Sequence, residues 1–200
     1  MTGIFGGSFN PPHLGHLHLA ETFKQNMNLE RIIILPAGIP PHKSAPDLVS
    51  GEDRVEMCER TFLAEEFEVS SLEIERKGKS YTFDTLKEIK KITGDDDLFL
   101  LIGDDMLFSF HEWKNPNEIL SLATVVAGVR DIDENSASLR EYAENFFPEE
   151  YKKNRFYFME MEPFPVSSTA IREMVKKGES LKGLVTEETS EYILKRGFYV

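Results

Sequence analysis

The residues best suited to chemistry lie near the start of the chain, in Gly6-Gly7-Ser8-Phe9-Asn10-Pro11-Pro12-His13-Leu14-Gly15-His16. Gly6 and Gly7 let the backbone turn tightly and approach a ligand closely. A helix beginning beyond them offers unpaired N–H groups to a phosphate. After a first strand and before a first helix, such a segment is a phosphate cradle. It is not the dinucleotide fingerprint, which needs G-x-G-x-x-G and an acidic residue after the second strand, so hydride transfer is disfavoured. His13 and His16 lie three apart, so at the first turn of a helix both can face one ligand and donate hydrogen bonds to phosphate oxygens. A zinc pair would need further ligands, and none stands at a suggestive spacing. Two histidines that merely cap a helix are the plainer alternative.

Further along, each candidate has a functional and an ordinary reading. Lys43 follows the second strand in the proline-rich run Pro36 to Lys43. It can bring local positive charge to the sheet edge where α/β folds bind ligands, or be a solvated lysine. Asp104, after Gly103, can accept hydrogen bonds from ribose hydroxyls, hold a metal through water, or cap a helix. Trp113, the only tryptophan, can stack on a flat heterocycle or pack in the core. Thr82 can cap its helix or contact a ligand. Ser168, Thr169 and Arg172 combine hydroxyls and a guanidinium one turn apart at a helix start, which suits a polyphosphate tail. An N-cap with a surface arginine is the alternative.

The elements that must position these residues alternate as β and α, the pattern of a parallel sheet covered by helices on both faces. Strands are expected at Thr2 to Phe5, Ile32 to Leu35, Glu68 to Leu72, Leu98 to Ile102, Thr124 to Val129 and Phe156 to Met161. Helix starts are signalled at His13 or Gly15, at Ser50 with Glu52 and Asp53, at Asn115-Pro116 with Glu118, at Ser167 or Ser168, and at Thr186. Gly178 and Gly197 are stops. The acidic, polar stretch Asp131 to Asn154 reads as an insertion or a solvated helix. The expectation is one Rossmann-like α/β domain over residues 1–200, with a small helical part at 165–200.

Bulk properties limit what that domain can meet. With 200 residues and 40 % hydrophobic content a single core is affordable. A formal charge of −12 disfavours DNA or RNA, which need clustered Lys and Arg. One cysteine, Cys58, excludes an internal disulfide and a thiolate zinc cluster. No apolar run approaches the roughly 20 residues that span a bilayer. Met1 leads into the glycine-rich segment without a signal-like stretch, so a soluble cytoplasmic protein is expected. Homo-oligomerisation leaves no trace in the sequence.

These segments resemble the nucleotidyltransferases whose signature is histidine, any residue, glycine, histidine after G-x-F-x-P. Here that is His13-Leu14-Gly15-His16 after Gly7-Ser8-Phe9-Asn10-Pro11. The resemblance is strongest to the bacterial nicotinate-nucleotide adenylyltransferase family and extends over nearly the whole chain. It is carried further by Pro36 to Lys43, Ser80-Tyr81-Thr82, Leu101 to Asp105 with Trp113, and Val166 to Arg172. It implies adenylyl transfer from ATP to nicotinate mononucleotide. His13, His16, Lys43 and Arg172 would be catalytic. Gly6, Gly7, Ser8, Phe9, Gly103, Asp104, Ser168 and Thr169 would join the two histidines and Arg172 in binding ATP. Ser8, Lys43, Thr82, Asp104 and Trp113 would bind the mononucleotide.

The attacking 5′-phosphate is already an anion, so positioning and charge neutralisation suffice, without a general base or covalent intermediate. Mg²⁺ would bridge the phosphates and keep much of its water shell, which leaves no protein ligand to name. Rivals are pantetheine-phosphate adenylyltransferase, expected to lack the Ser80 to Thr82 and Trp113 pattern, and a non-catalytic nucleotide-binding module. A fragment of an aminoacyl-tRNA synthetase is a weaker one. One departure stands out: relatives often carry arginine, proline, glycine and tyrosine where this chain has Arg130-Asp131-Ile132-Asp133.

Overall fold

The computed structural model describes residues 1–38, 47–76, 78–129, 132–162 and 164–200, and of residues 132–135 only the backbone. In chain order the elements are β1 (Thr2–Gly7), α1 (Leu14–Met27), β2 (Arg31–Pro36), α2 (Gly51–Thr61), β3 (Phe67–Val69), α3 (Leu72–Glu75) and α4 (Thr82–Thr93). Then follow β4 (Leu98–Gly103), α5 (Asp104–Leu107), a 3₁₀ turn (Phe110–Glu112), α6 (Pro116–Leu122), β5 (Ala123–Val129), α7 (Ile132–Phe146) and α8 (Pro148–Lys152). β6 (Phe156–Glu160), α9 (Ser168–Lys176) and α10 (Glu187–Arg196) complete the chain.

The strands form one six-stranded sheet in the order β3-β2-β1-β4-β5-β6. β1 with β4, β4 with β5 and β5 with β6 are parallel, Thr2 lying opposite Leu98, Leu98 opposite Ala123 and Val125 opposite Phe156. The sheet is flanked by helices, the Rossmann-like arrangement expected. β4 and β5 read as near-continuous apolar runs because strands covered on both faces have no solvated side.

The chain divides into two compact units. The first consists of Met1–Phe5, Thr22–Ile32 and Tyr81–Pro163. Its core takes Leu98, Leu100, Leu101 and Ile102 from β4, Val125, Val126 and Val129 from β5, and Phe83, Leu86 and Ile89 from α4. The spacing of three along α4 puts its apolar side chains on one face. The second consists of Gly6–Glu21, Ile33–Ser80 and Phe164–Val200. There Met57, Ile171, Val175, Leu181, Val185, Ile193 and Tyr199 form a continuous core cluster. At about 1.5–3 kcal/mol for each large apolar side chain withdrawn from water, that cluster accounts for why α2, α9 and α10 hold together. Inside it Thr61 and Thr189 share a buried hydrogen bond of 2.8 Å.

Several local expectations hold. Ser50, Ser167 and Thr186 accept the N–H of Asp53, Ala170 and Thr189 as N-caps of α2, α9 and α10, and Gly197 ends α10 with φ 65°. Others change. The strand expected at Glu68 to Leu72 stops at Val69, because Ser71 turns the chain: the N–H groups of Ile74 and Glu75 bond to its carbonyl and open α3. Asn115 precedes α6 as foreseen, but its φ is 55° and its side chain caps nothing. It donates instead to Glu118 Oε2 at 3.0 Å, and Lys87 also pairs with Glu118. The polar stretch after Asp131 is not an insertion: it forms α7 and α8 between β5 and β6, and α7, although mostly exposed, buries Leu139, Tyr142 and Ala143 along one face.

Candidate active site

The phosphate turn belongs wholly to the second unit. β1 ends at Gly7, whose carbonyl accepts the N–H of Ala37 at 2.8 Å beyond β2. Phe9 follows with φ 45° and is only 1 % exposed, so its ring belongs to the core and is not open for stacking on a ligand. A Cβ on Gly7 would sit 3.0 Å from that ring. The Phe9 ring also meets His16 edge-on, centroids 5.0 Å apart.

His13 lies just before α1, and its carbonyl accepts the N–H groups of His16 at 2.8 Å and Leu17 at 3.2 Å. Its imidazole stacks on that of His16, centroids 3.7 Å apart and planes 27° apart. The backbone N–H of His13 donates to His16 Nδ1 at 3.2 Å. An Nδ1 that accepts must be unprotonated, so neutral His16 carries its proton on Nε2 as a donor. His13 Nδ1 is buried without a hydrogen-bond partner, and a Cβ on Gly15 would come within 3.1 Å of it. A side chain at Gly15 would therefore crowd both the His13 ring and Val166.

Burial lowers His13 to a pKa of about 4. It lowers His16 well below the ordinary histidine value too, with the neighbouring His13 adding to the shift. Both imidazoles are thus neutral at pH 7. What they can offer a ligand is therefore a hydrogen bond and not a positive charge.

Charge comes from the other end of the chain. Arg172 on α9 donates from Nη1 to the Asn10 carbonyl at 2.8 Å and from Nη2 to Thr169 Oγ1 at 3.1 Å. Ser168 Oγ donates to the Pro11 carbonyl at 2.8 Å. These bonds clip the start of α9 to the turn across more than 150 residues of sequence, so Gly6, Gly7, Ser8, Phe9, His13, His16, Ser168, Thr169 and Arg172 belong to one constellation. Sequence reasoning missed Asn10 and Tyr199. Asn10 is buried, donates to the Asp47 carbonyl at 2.9 Å, and accepts the Val49 N–H at 3.3 Å and the Tyr199 hydroxyl at 2.8 Å. It missed Arg54 as well, a cation hidden in an unremarkable acidic helix. A residue whose value lies in contacts 46 or 189 positions away leaves no local pattern.

Thr82, Gly103, Asp104 and Trp113 belong to the first unit. Thr82 is the first residue of α4, not its cap; Tyr81 precedes it in extended conformation, and no side chain caps this helix. Gly103 closes β4, and Asp104 opens α5 with Oδ1 accepting the Asp105 N–H at 2.9 Å. Trp113 is half-buried, its ring 5.2 Å from that of Phe110 and tilted by 50°. Lys114 Nζ sits 4.5 Å from the centroid of the Tyr81 ring. Lys43, Arg130 and Asp131 lie outside the described residues. Among the described residues no group of three or more His, Cys, Asp and Glu side chains could hold a metal ion.

Residues 4–174 match the model of the cytidylyltransferase-like family. A protein of Dictyoglomus thermophilum named "Probable nicotinate-nucleotide adenylyltransferase" is 37 % identical over 99 % of this chain and 98 % of its own length. A Clostridium tetani protein of the same name is 36 % identical over 98 % and 97 %. The chain belongs to the nicotinate-nucleotide adenylyltransferase family. Members so similar over their full lengths share the whole architecture, not the turn alone. The fold agrees: the Plasmodium falciparum nicotinic acid mononucleotide adenylyltransferase complexed with NaAD superposes with a TM-score of 0.77 at 18 % identity, over 99 % of this chain and 96 % of the other. For this family's chemistry, two imidazoles, several hydroxyls and a guanidinium are a donor set for phosphate oxygens. They are not the oxygen-rich set that would hold Mg²⁺ on the protein. No helix among the described residues is long and apolar enough to cross a membrane.

Proposed function

We propose that this chain is a cytoplasmic enzyme that transfers the adenylyl group of ATP to nicotinate mononucleotide, giving nicotinate adenine dinucleotide and pyrophosphate in NAD biosynthesis. The observation that carries the mechanism is the stacked pair of neutral imidazoles in a glycine-rich turn clipped to Arg172. An oxygen of the mononucleotide's 5′-phosphate bonds to the α-phosphorus of ATP. The bond from that phosphorus to the α,β-bridging oxygen breaks, and its electron pair leaves with pyrophosphate. No proton has to move in this step, so the side chains only position and stabilise.

His13 donates a hydrogen bond to the α-phosphate, where negative charge crowds as attack proceeds. His16, through Nε2–H, and Arg172 receive the β- and γ-phosphates that become pyrophosphate. Thr169 adds a hydroxyl donor, Ser168 contributes its backbone N–H at the start of α9 while its hydroxyl holds the Pro11 carbonyl, and the glycine-rich turn from Gly6 to Phe9 cradles the chain of phosphates. Lys43 supplies further charge. Asp104 and Gly103 contact the nucleotides, and Thr82 and Trp113 bind the pyridine half, Trp113 by stacking. Mg²⁺ arrives on the triphosphate as part of the substrate. A nicotinate carboxylate is preferred over an amide through backbone N–H donors at the uncapped start of α4.

Following label from ATP tests the bond cleaved. Label at the α-phosphorus must enter the dinucleotide, and label at the γ-phosphorus must leave in pyrophosphate. Label from the γ-position in the acceptor would show phosphoryl transfer and overturn the assignment.

A further inference from the structure

Among the described residues Arg54 is the largest of the side chains that are almost fully buried, 1 % exposed. Its guanidinium donates to three carbonyls from three separate segments: Nη1 to Ser8 at 2.9 Å, Nη2 to Gly38 at 3.1 Å and Nε to Val49 at 3.3 Å. Those are the phosphate turn, the chain leaving β2 and the approach to α2. Among the described residues it makes no ion pair. Glu52 and Glu73 act on it only at longer range, and Glu73 Oε2 instead accepts the Gly38 N–H at 3.4 Å.

A buried ion with neutral partners is a poor way to gain stability, since well-packed apolar residues would do as well. Its geometry points to another use. In a trans peptide the C=O and the following N–H point in opposite directions, so drawing the Ser8 carbonyl inward to Arg54 turns the Phe9 N–H the other way. That peptide leads into Phe9, whose φ of 45° is unusual for a bulky residue and persists only where its surroundings over-determine it. The bond to Ser8 is one such restraint. A carbonyl left to swing toward a triphosphate would repel it, whereas one tied inward does not face the phosphates.

We propose that Arg54 is a positioning residue of the phosphate cradle: it sets the Ser8–Phe9 peptide, ties the turn to the Gly38 segment, and places a cation beneath the bound phosphates. This rests on the phosphate reading of the turn. Arg54 touches no substrate and acts through Ser8, so the effect falls on catalysis and phosphate binding and not on recognition of the pyridine ring.

Two variants and the unaltered enzyme test it. Arg54→Lys keeps the charge but loses the planar fork. It should weaken inorganic tripolyphosphate binding about threefold, because the Ser8 carbonyl is no longer held inward, while kcat falls at least about thirtyfold. Arg54→Gln, which loses the charge, should in addition weaken tripolyphosphate binding at least about tenfold. In both, KM for nicotinate mononucleotide should stay within about threefold. A folded variant with wild-type kcat and tripolyphosphate affinity would reduce Arg54 to a packing role and overturn the proposal.

Should both variants fail to fold, the wild-type enzyme decides through nitrogen-15 NMR of its arginine side chains. The Arg54 Nε–H resonance should shift when tripolyphosphate is added, and an unmoved resonance in the saturated protein would contradict the proposal. Wild-type enzyme that binds no tripolyphosphate would sink the phosphate reading itself, and this proposal with it. That failure is separate from one seen in the variants alone.

Discussion

Two imidazoles stacked 3.7 Å apart in a buried turn cannot both be charged at little cost, and this fixes how they work. Their spacing of three was readable in the sequence, and so was their place at a helix start. Their neutrality was not, because it comes from burial contributed by distant segments such as Val166 beside Gly15. Replacing His13 by Ala should lower kcat by about 10²–10³ if it donates to a charge that grows in the transition state. The melting temperature should change little, since the packing lost with the ring is offset by removal of a buried Nδ1 that has no hydrogen-bond partner. An unchanged kcat would remove His13 from the mechanism.

The pKa of about 4 for His13 also carries a stability statement. The folded value lies below the unfolded one, so the unfolded chain binds more protons between them. The stabilisation is complete above pH 6.5 and is lost as pH falls toward 4. From pH 7 to pH 5 His13 should account for about 2 kcal/mol of lost stability. Urea unfolding at the two pH values, compared between wild type and His13→Asn, checks this. The variant should show a shallower loss, and an equal loss would contradict the burial of a neutral ring.

Elements were more legible than their mutual contacts. N-caps at Ser50, Ser167 and Thr186 follow from local chemistry, and the structure places them where the sequence did. What failed was local preference overruled by context. Acidic composition made α7 look solvated, although only one of its faces is polar and Leu139 is fully buried on the other. Leu139→Ala should therefore cost about 2–5 kcal/mol, read by denaturant midpoint; a change below about 0.5 kcal/mol would restore the solvated reading. Capping has a consequence beyond stability at α9, because that helix carries Ser168 and Arg172 to the turn. Ser167→Ala should cost about 1 kcal/mol and also weaken ATP binding, which calorimetric titration would show.

Across the whole molecule, alternation of strand and helix was enough to foresee a parallel Rossmann-like sheet, and the six-stranded order bears that out. The residues that join distant segments, Arg54, Asn10 and Tyr199, were invisible because long-range hydrogen bonds have no sequence period. A formal charge of −12 surrounds a site for anions, so its attraction must be short-ranged. Raising ionic strength from about 10 to 150 mM should screen the general repulsion and raise kcat/KM for ATP, and a steep fall would instead indicate an extended basic surface.

The central claim is most directly tested by pyrophosphate release from ATP and Mg²⁺ with nicotinate mononucleotide, nicotinamide mononucleotide and phosphopantetheine offered in parallel. Release should be fastest with nicotinate mononucleotide, slower with its amide and absent with phosphopantetheine. Release with phosphopantetheine alone, or with none of the three, would contradict the account.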